Sequence, residues 1–369
     1  MTIDELNITN FKNIADARLE FSPKINCFLG NNGMGKSNLL DAIYYLSFCK
    51  SFSGLTDTAL MRRGAEFTTL RGLYTRKGSP EELSMGLMPG KRKSFKRKGK
   101  EYERLSSHIG SFPLVMVAPA DQELITGTGE ERRRFMDVVI SQSDPVYLDH
   151  LIRYARAVQQ RNKLLRDHIA DPGLYMAVEL TIARSAEYIT RTRITWVEEL
   201  TAIFHNHYSR IAADGETPSL QLRSHIARDP GNLQALLDET RRHDEMVGHT
   251  SVGPHRDDID LQLNSMPVRR AASQGQCKTY TIALRLAQYE FLHRCAAMKP
   301  LLLLDDIFDK LDATRVERLV EMVSEDIFGQ IFITDTNRAH LDHIMSRSAN
   351  CHSSWMVEEG VFTLISDSQ

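Results

Sequence analysis

Cysteine is scarce: Cys27, Cys49, Cys277, Cys295 and Cys351 are the five in 369 residues, and none forms a CxxC pair or another metal-ligand spacing. That excludes a disulfide scaffold and a cysteine-built zinc site, and makes a reduced compartment the simpler reading. Long hydrophobic runs are missing too. The longest aliphatic stretches, residues 301–304 and 114–118, fall far short of the ~20 residues that cross a bilayer. The N-terminus has no basic segment followed by an apolar one, so no leader is expected. These absences predict a cytoplasmic chain. Nor is there an excess of one charge: 46 Lys and Arg stand against 48 Asp and Glu, a net charge of -2. If DNA is a partner, the positive charge must be local.

What remains is ordinary globular composition, 42% hydrophobic and 25% charged, in a chain long enough for two domains. Leu6 and Ile8, then Ala17, Leu19 and Phe21, alternate with polar residues on either side of a turn at 10–16, which reads as antiparallel strands. A third strand, 25–29, runs into a glycine-rich loop, and Leu39, Ile43 and Leu46 follow at helical spacing. Residues 65–118 read as a β-meander, with Leu83, Met85 and Leu87 alternating before a return strand at about 94–102. Thr128 and Glu131 suggest a capping box that opens a helix ending at Asp144-Pro145.

Heptad-like stripes then follow. Leu148, Leu151, Ala155, Val158, Asn162 and Leu165 form one, and Tyr175, Ile182, Ile189, Trp196 and Ile203 repeat every seven residues in the next. Two readings fit: a short antiparallel coiled coil with Asn162 fixing its register, or a helical subdomain without supercoil. From about 246 strands and helices alternate again, at 258–263, 276–294, 301–304, 313–323 and 330–334. The expected plan is α/β: an ATPase head in two parts, 1–127 and 246–369, with a helical arm domain, 128–245, inserted between them.

The loop Gly30-Asn31-Asn32-Gly33-Met34-Gly35-Lys36-Ser37 is built to hold a polyphosphate. Backbone N–H groups converge at a helix N-terminus, Lys36 brings charge to the β- and γ-phosphates, and Ser37 offers a hydroxyl to Mg²⁺. Leu301-Leu302-Leu303-Leu304-Asp305 supplies the second half, a buried strand ending in a carboxylate for the metal shell. Asp306 then stands where a base or water-orienting group is required, although strands also end in Asp at plain turns. Ser273-Gln274-Gly275-Gln276 opens a helix whose apolar face includes Tyr280, Leu284, Ala287 and Phe291. It describes either a second anion site or a polar helix cap.

Together these elements resemble the ABC-type ATPases of the SMC family, in the branch that serves bacterial DNA replication and repair. The resemblance spans essentially the whole chain. It runs through Asn10-Phe11-Lys12-Asn13, Lys36-Ser37-Asn38, Ala118-Pro119-Ala120-Asp121, Gly127 and Arg132-Arg133-Arg134-Phe135. It continues in Gln160-Arg161-Asn162-Lys163-Leu164-Leu165, Gly253-Pro254-His255-Arg256-Asp257-Asp258, Ser273 to Gln276, and Asp305-Asp306-Ile307-Phe308-Asp309-Lys310-Leu311-Asp312.

The resemblance implies an ABC/SMC-type head with mixed β-sheets, ATP and Mg²⁺ as cofactors, and an ATP-dependent homodimer. Residues 30–38, Asn38 included, would contact nucleotide, with Ser273 and Gln276 closing over the γ-phosphate of the other protomer. Asp312 would lie at the dimer interface, Thr334-Asp335-Thr336 would form the switch, and Gln122 or Asp121 would belong to a metal-linked loop. It implies a weak, DNA-dependent ATPase that binds duplex DNA and gapped or single-stranded junctions, associated with the nucleoid, with RecO and RecR as partners in loading the RecA recombinase.

Two positions depart from the family pattern. Asp306 stands where ABC proteins usually have Glu, which suggests slow turnover. Ser53 follows Lys50-Ser51-Phe52 where many relatives have Arg. A basic stretch, Lys91, Arg92, Lys93, Lys96, Arg97 and Lys98, fits a sequence-independent DNA surface; it also fits an edge strand guarded by cations. The arginines at 132–134, 153, 156, 161 and 166 read as solvated helix faces. His249 and His255 near Asp257 and Asp258 match no common ligand set. The ATPase subunit of a membrane transporter shares the loop, signature and acidic strand and stands as the alternative. An ATPase fused to a nuclease lacks the extra acidic cluster it would need.

Overall fold

The computed structural model describes residues 1–212, 215–347 and 352–368; Cys351 lies outside them. In chain order the elements begin with β1 (Thr2–Phe11), β2 (Ile14–Glu20), β3 (Ile25–Leu29), α1 (Lys36–Phe48), β4 (Thr68–Arg76), β5 (Ser79–Leu87), β6 (Ser94–Arg97), β7 (Lys100–Glu101) and β8 (Leu114–Val117). Next come α2 (Glu123–Thr126), α3 (Gly129–Ser143), α4 (Pro145–Arg166), α5 (Pro172–Ile211), β9 (Pro218–Arg223), α6 (Leu233–Val247), β10 (Asp258–Leu263), β11 (Met266–Pro267) and α7 (Val268–Ala271). The chain ends with α8 (Gln274–Ala296), β12 (Leu301–Asp305), α9 (Ala313–Val323), β13 (Ile331–Asp335), α10 (Arg338–Arg347), β14 (His352–Glu358) and β15 (Val361–Ser368).

Two compact units result. The first comprises Met1–Asp121, Arg210–Ala212 and Gln274–Gln369; the second comprises Gln122–Ser209 and Ala213–Ser273. Residues 246–273, expected with the C-terminal part of the head, therefore group with the helices. The reason is register: β10 pairs antiparallel with β9 along its whole length, from Asp258↔Arg223 to Leu263↔Pro218.

The first unit contains two sheets. One is antiparallel, in the order β2-β1-β4-β5-β6-β7, and Ile3, Leu6, Ile8 and Phe11 of β1 are buried. The expected return strand is two short ones, β6 and β7, reversed at Lys98-Gly99 where both residues have positive φ. The other sheet runs β15-β14-β3-β13-β12-β8, all parallel except β15. Every residue of β12 and β13 is buried, as a parallel strand covered on both faces must be, which is why these segments read as unbroken apolar runs. Helix α1 contacts strands of both sheets and is buried nearly all round. Register brings Leu29, Thr334 and Asp305 to the C-terminal ends of three neighbouring strands, β3, β13 and β12. Parallel sheets bind ligands at that edge.

The second unit is built on α4 and α5. Asp144 caps α4 by accepting from the N–H groups of Val146 (2.9 Å) and Tyr147 (3.0 Å), with Pro145 in the first turn. Arg161 meets Glu179 while Tyr147 meets Arg193, so α4 and α5 run antiparallel. The α5 stripe is buried as expected: Tyr175, Ile182, Ile189, Trp196 and Ile203 are at most 4% exposed. The buried face of α4 departs from the expected stripe at every second position. Val158 and Leu165 are buried, but they share the face with Tyr147, Tyr154 and Arg161, whereas Ala155 is exposed and Leu148 and Asn162 are only half-buried. At Thr128 the cap forms with the N–H of Glu130 (3.3 Å), not with Glu131.

Candidate nucleotide site

The phosphate loop leaves β3 at Gly30 and enters α1 at Lys36. Gly33 and Gly35 have φ of +82° and +115°, the region that side-chain-bearing residues avoid. A Cβ at Gly35 would lie 2.9 Å from the Asn13 amide, and one at Gly30 would collide with the Val357 carbonyl oxygen. The loop is braced from outside. The Met34 carbonyl accepts from Gly360 N (2.7 Å) and from Asn13 Nδ2 (3.2 Å), and Asn13 Oδ1 in turn accepts from Asn38 Nδ2 (2.8 Å). Neither Asn13 nor Gly360 was singled out for this role from sequence; the Asn10-Phe11-Lys12-Asn13 motif was the available signal.

Lys36 is 6% exposed. Its ammonium donates to Gly30 O and to Asn31 O (2.9 Å), which holds it at the mouth of the loop. Burial lowers its pKa, while Asp306, Asp305 and Asp335 work in the opposite sense. Ser37 Oγ donates to Asp305 Oδ1 at 2.9 Å, and Thr334 Oγ1 donates to the same oxygen at 2.7 Å. The two halves of the site, 268 residues apart in sequence, thus meet through one hydrogen bond. A hydroxyl and a carboxylate are hard oxygen donors that suit Mg²⁺, an ion that completes its shell with water and phosphate oxygens. Among the described residues no group of three His, Cys, Asp or Glu could hold a metal by itself.

Asp306 follows with φ +48°. Burial first, and the charge of Asp335 second, raise its carboxyl above the usual range, against the pull of Lys278. Asp335 is buried, accepting from Asn337 N (2.8 Å) and pairing with His340 Nδ1 (2.8 Å). Asp312 caps α9, accepting from Arg315 N at 3.0 Å, with its side chain 58% exposed. Ser273 is exposed and Gln276 half-buried at the start of α8. A Cβ on Gly275 would lie 2.7 Å from Arg315 Nη1, so this glycine keeps the turn open for that guanidinium.

Gln122 is exposed and falls in the second unit. Its neighbour Asp121, in the first unit, is committed to the fold, accepting from Ala118 N (3.0 Å) and Arg285 Nη2 (2.6 Å). Ser53 is bonded to Ser51 at 2.8 Å, and Ser51 to buried Asp41 at 2.6 Å.

The basic hairpin is less uniform than its sequence. Lys93 folds back onto the end of α1, donating to Cys49 O (2.8 Å) and pairing with Asp57 (3.0 Å). Arg97 is bidentate to Glu81 at 2.8 and 3.0 Å, and Lys98 lies 3.5 Å from the same carboxylate. The exposed cations are Lys91, Arg92, Lys96, Lys98 and Lys100. In the second unit Arg132 is bidentate to Asp258 (2.6 and 3.0 Å), and His255 bonds Tyr154 OH (2.6 Å) and Thr250 O (2.9 Å). Neither is left as a solvated face or a metal ligand.

A model of the AAA ATPase domain family matches residues 1–99. The chain is 50% identical over 98% of both chains to the DNA replication and repair protein RecF of Phocaeicola vulgatus, and 46% identical to RecF of Porphyromonas gingivalis over 98% of this chain and 99% of that one. The chain belongs to the RecF family. A solved structure of the recombination mediator protein RecF with ATPrS, in the RecFOR pathway, superposes with a TM-score of 0.88 at 26% identity, covering 99% of this chain and 98% of the other. A Smc head domain from Pyrococcus furiosus superposes at 0.60 and 16% identity, over 99% and 96% of the two chains, which speaks for the fold alone. This RecF-family chain is thus an ATP-binding ATPase of the ABC/SMC head type with an inserted helical arm. The transporter subunit held open by the sequence is not favoured. Among the described residues, no helix is long and apolar enough to cross a membrane.

Proposed function

We propose that this chain is an ATP-gated DNA-binding protein of recombinational repair and replication-gap processing. The observation that carries the reading is the convergence of the Ser37 and Thr334 hydroxyls on one carboxylate oxygen of Asp305 beside the braced phosphate loop, in a chain belonging to the RecF family. Backbone N–H groups of residues 30–37 and the Lys36 ammonium bind and neutralise the phosphates. Ser37 and Asp305 are the residues that would hold Mg²⁺, which supplies charge neutralisation at the phosphate oxygens when bound. Asp306 orients the attacking water and accepts its proton. One methylene shorter than the Glu of most ABC proteins, it does so slowly.

Ser273 and Gln276 complete the site of a second copy, with Asp312 at the seam between the two. ATP thereby closes a homodimer on duplex DNA near gaps, and slow, DNA-dependent hydrolysis releases it. Lys91, Arg92, Lys96 and Lys98 contribute phosphate contacts. By family, RecO and RecR are its partners in loading RecA, which would put the chain in the cytoplasm at the nucleoid.

Sedimentation velocity with and without ATP and duplex DNA tests the scheme. Wild type is expected to dimerise with ATP, and Asp306→Asn to dimerise and stay closed. Lys36→Ala should lose ATP binding and the dimer together, whereas Ser273→Ala should keep ATP and lose the dimer. Failure of both wild type and Asp306→Asn to dimerise or to bind duplex DNA would sink it.

A further inference from the structure

The peptide of Asp306 is gripped from both sides. Its N–H donates to Thr334 Oγ1 at 3.1 Å and lies 3.2 Å from Thr334 O, both on β13. Its carbonyl oxygen accepts from the ammonium of Lys278 at 3.1 Å. Between these two holds the residue sits at φ +48°, in a region that non-glycine residues keep only when their surroundings impose it. The direction of the Asp306 carboxylate is therefore set by groups on two other elements.

Lys278 is on α8, the helix that begins immediately after Ser273. It is half-buried, and the charges that act on it most are Asp309, Asp306, Lys310 and Asp335. Helix α8 has no need of it for packing, since Tyr280, Leu284, Ala287 and Leu286 are already at most 2% exposed. An ammonium half-withdrawn from water onto a peptide carbonyl adds little to fold stability. It does fix a geometry.

We infer that Lys278 is a positioning residue for hydrolysis: carried by the signature helix, it holds the peptide of Asp306 and so aims the acid of its own protomer. This rests on the reading of Asp306 as the group that orients water. It adds a direction of control. When Ser273 and Gln276 engage a second copy's nucleotide, α8, which follows Ser273 and carries Gln276, bears the contact, and Lys278 on the same helix meets the backbone of Asp306 in its own protomer's active site. Closure at one nucleotide is then transmitted to hydrolysis at its neighbour.

The test compares full-length wild type, Lys278→Met and Lys278→Arg in steady-state ATP hydrolysis with duplex DNA, ATP binding and ATP-dependent sedimentation. Lys278→Met is expected to lower kcat roughly 10- to 100-fold, the scale of a small misplacement of a reacting group. KM for ATP, the melting temperature and the ATP-induced dimer should stay essentially unchanged. Lys278→Arg, which keeps a donor and a charge, should restore most of kcat. The inference is overturned if Lys278→Met retains wild-type kcat, if kcat falls only in step with ATP affinity or melting temperature, or if Lys278→Arg restores nothing. A wild type that binds ATP but never hydrolyses it would instead overturn the reading of Asp306.

Discussion

His108 shows how a single side chain sets a pH limit on the head. It is 0% exposed, bonded through Nε2 to Leu46 O (2.7 Å) and through Nδ1 to Tyr102 OH (3.0 Å), and burial lowers its pKa to about 4. In the unfolded chain the imidazole takes up a proton near 6.5, but the folded one waits until about 4. Between those values the unfolded state binds more protons, so stability is full above the upper one and is lost as pH falls through the window. The loss reaches about 3 kcal/mol at the bottom. Calorimetry between pH 6.5 and 4.5 is expected to show a steeper fall in melting temperature for wild type than for His108→Gln; equal slopes would refute the assignment. At this scale the sequence was most legible where chemistry is concentrated, in Lys36-Ser37 and Asp305-Asp306. Lys278 and His108 were silent because a lysine on a helix and a histidine in a loop look solvated until their neighbours are known.

At the scale of the element, the informative case is the pair α4 and α5. The α5 stripe was read correctly because its large apolar residues recur every seven positions. The α4 stripe was misassigned by one position at every second step, since its true members there are Tyr147, Tyr154 and Arg161, and an arginine does not advertise burial. Arg161 is 0% exposed and binds Glu179 (2.8 Å), Asp244 (2.6 Å) and Thr250 Oγ1 (3.0 Å), joining α4 to α5, α6 and the loop beyond. Removing the guanidinium leaves buried Asp244 without its charged partner and buried Glu179 paired with Arg241 alone. Arg161→Met is expected to destabilise the second unit by about 3–5 kcal/mol, read as a lower urea midpoint for that unit. Adding Glu179→Gln and Asp244→Asn should recover much of the loss. A midpoint unchanged in Arg161→Met would show that the network contributes little.

For the whole molecule, net charge hides a local basic surface. A chain at -2 still presents Lys91, Arg92, Lys96, Lys98 and Lys100 on one hairpin, held in shape by buried Phe95 and by the inward bonds of Lys93 and Arg97. Replacing Lys91, Arg92 and Lys96 by Gln is expected to weaken duplex binding uniformly across sequences and to make the dependence of log K on log salt shallower by about 2–3. An unchanged salt slope would assign DNA contact to another surface. The two-part head was legible from its motifs. The border at Ser273 was not, because pairing of β10 with β9 is a long-range event that leaves no local mark.

The sheet order β15-β14-β3-β13-β12-β8 also imposes a schedule on synthesis. The phosphate loop leaves the ribosome early, but the Asp305 carboxylate that faces Ser37 and the Gly360 N–H that braces Met34 come late. An interrupted translation product carries the loop without its acid or its brace. The complete site is therefore expected in finished chains alone, and a product truncated before β12 should bind nucleotide more weakly than the whole chain in a titration.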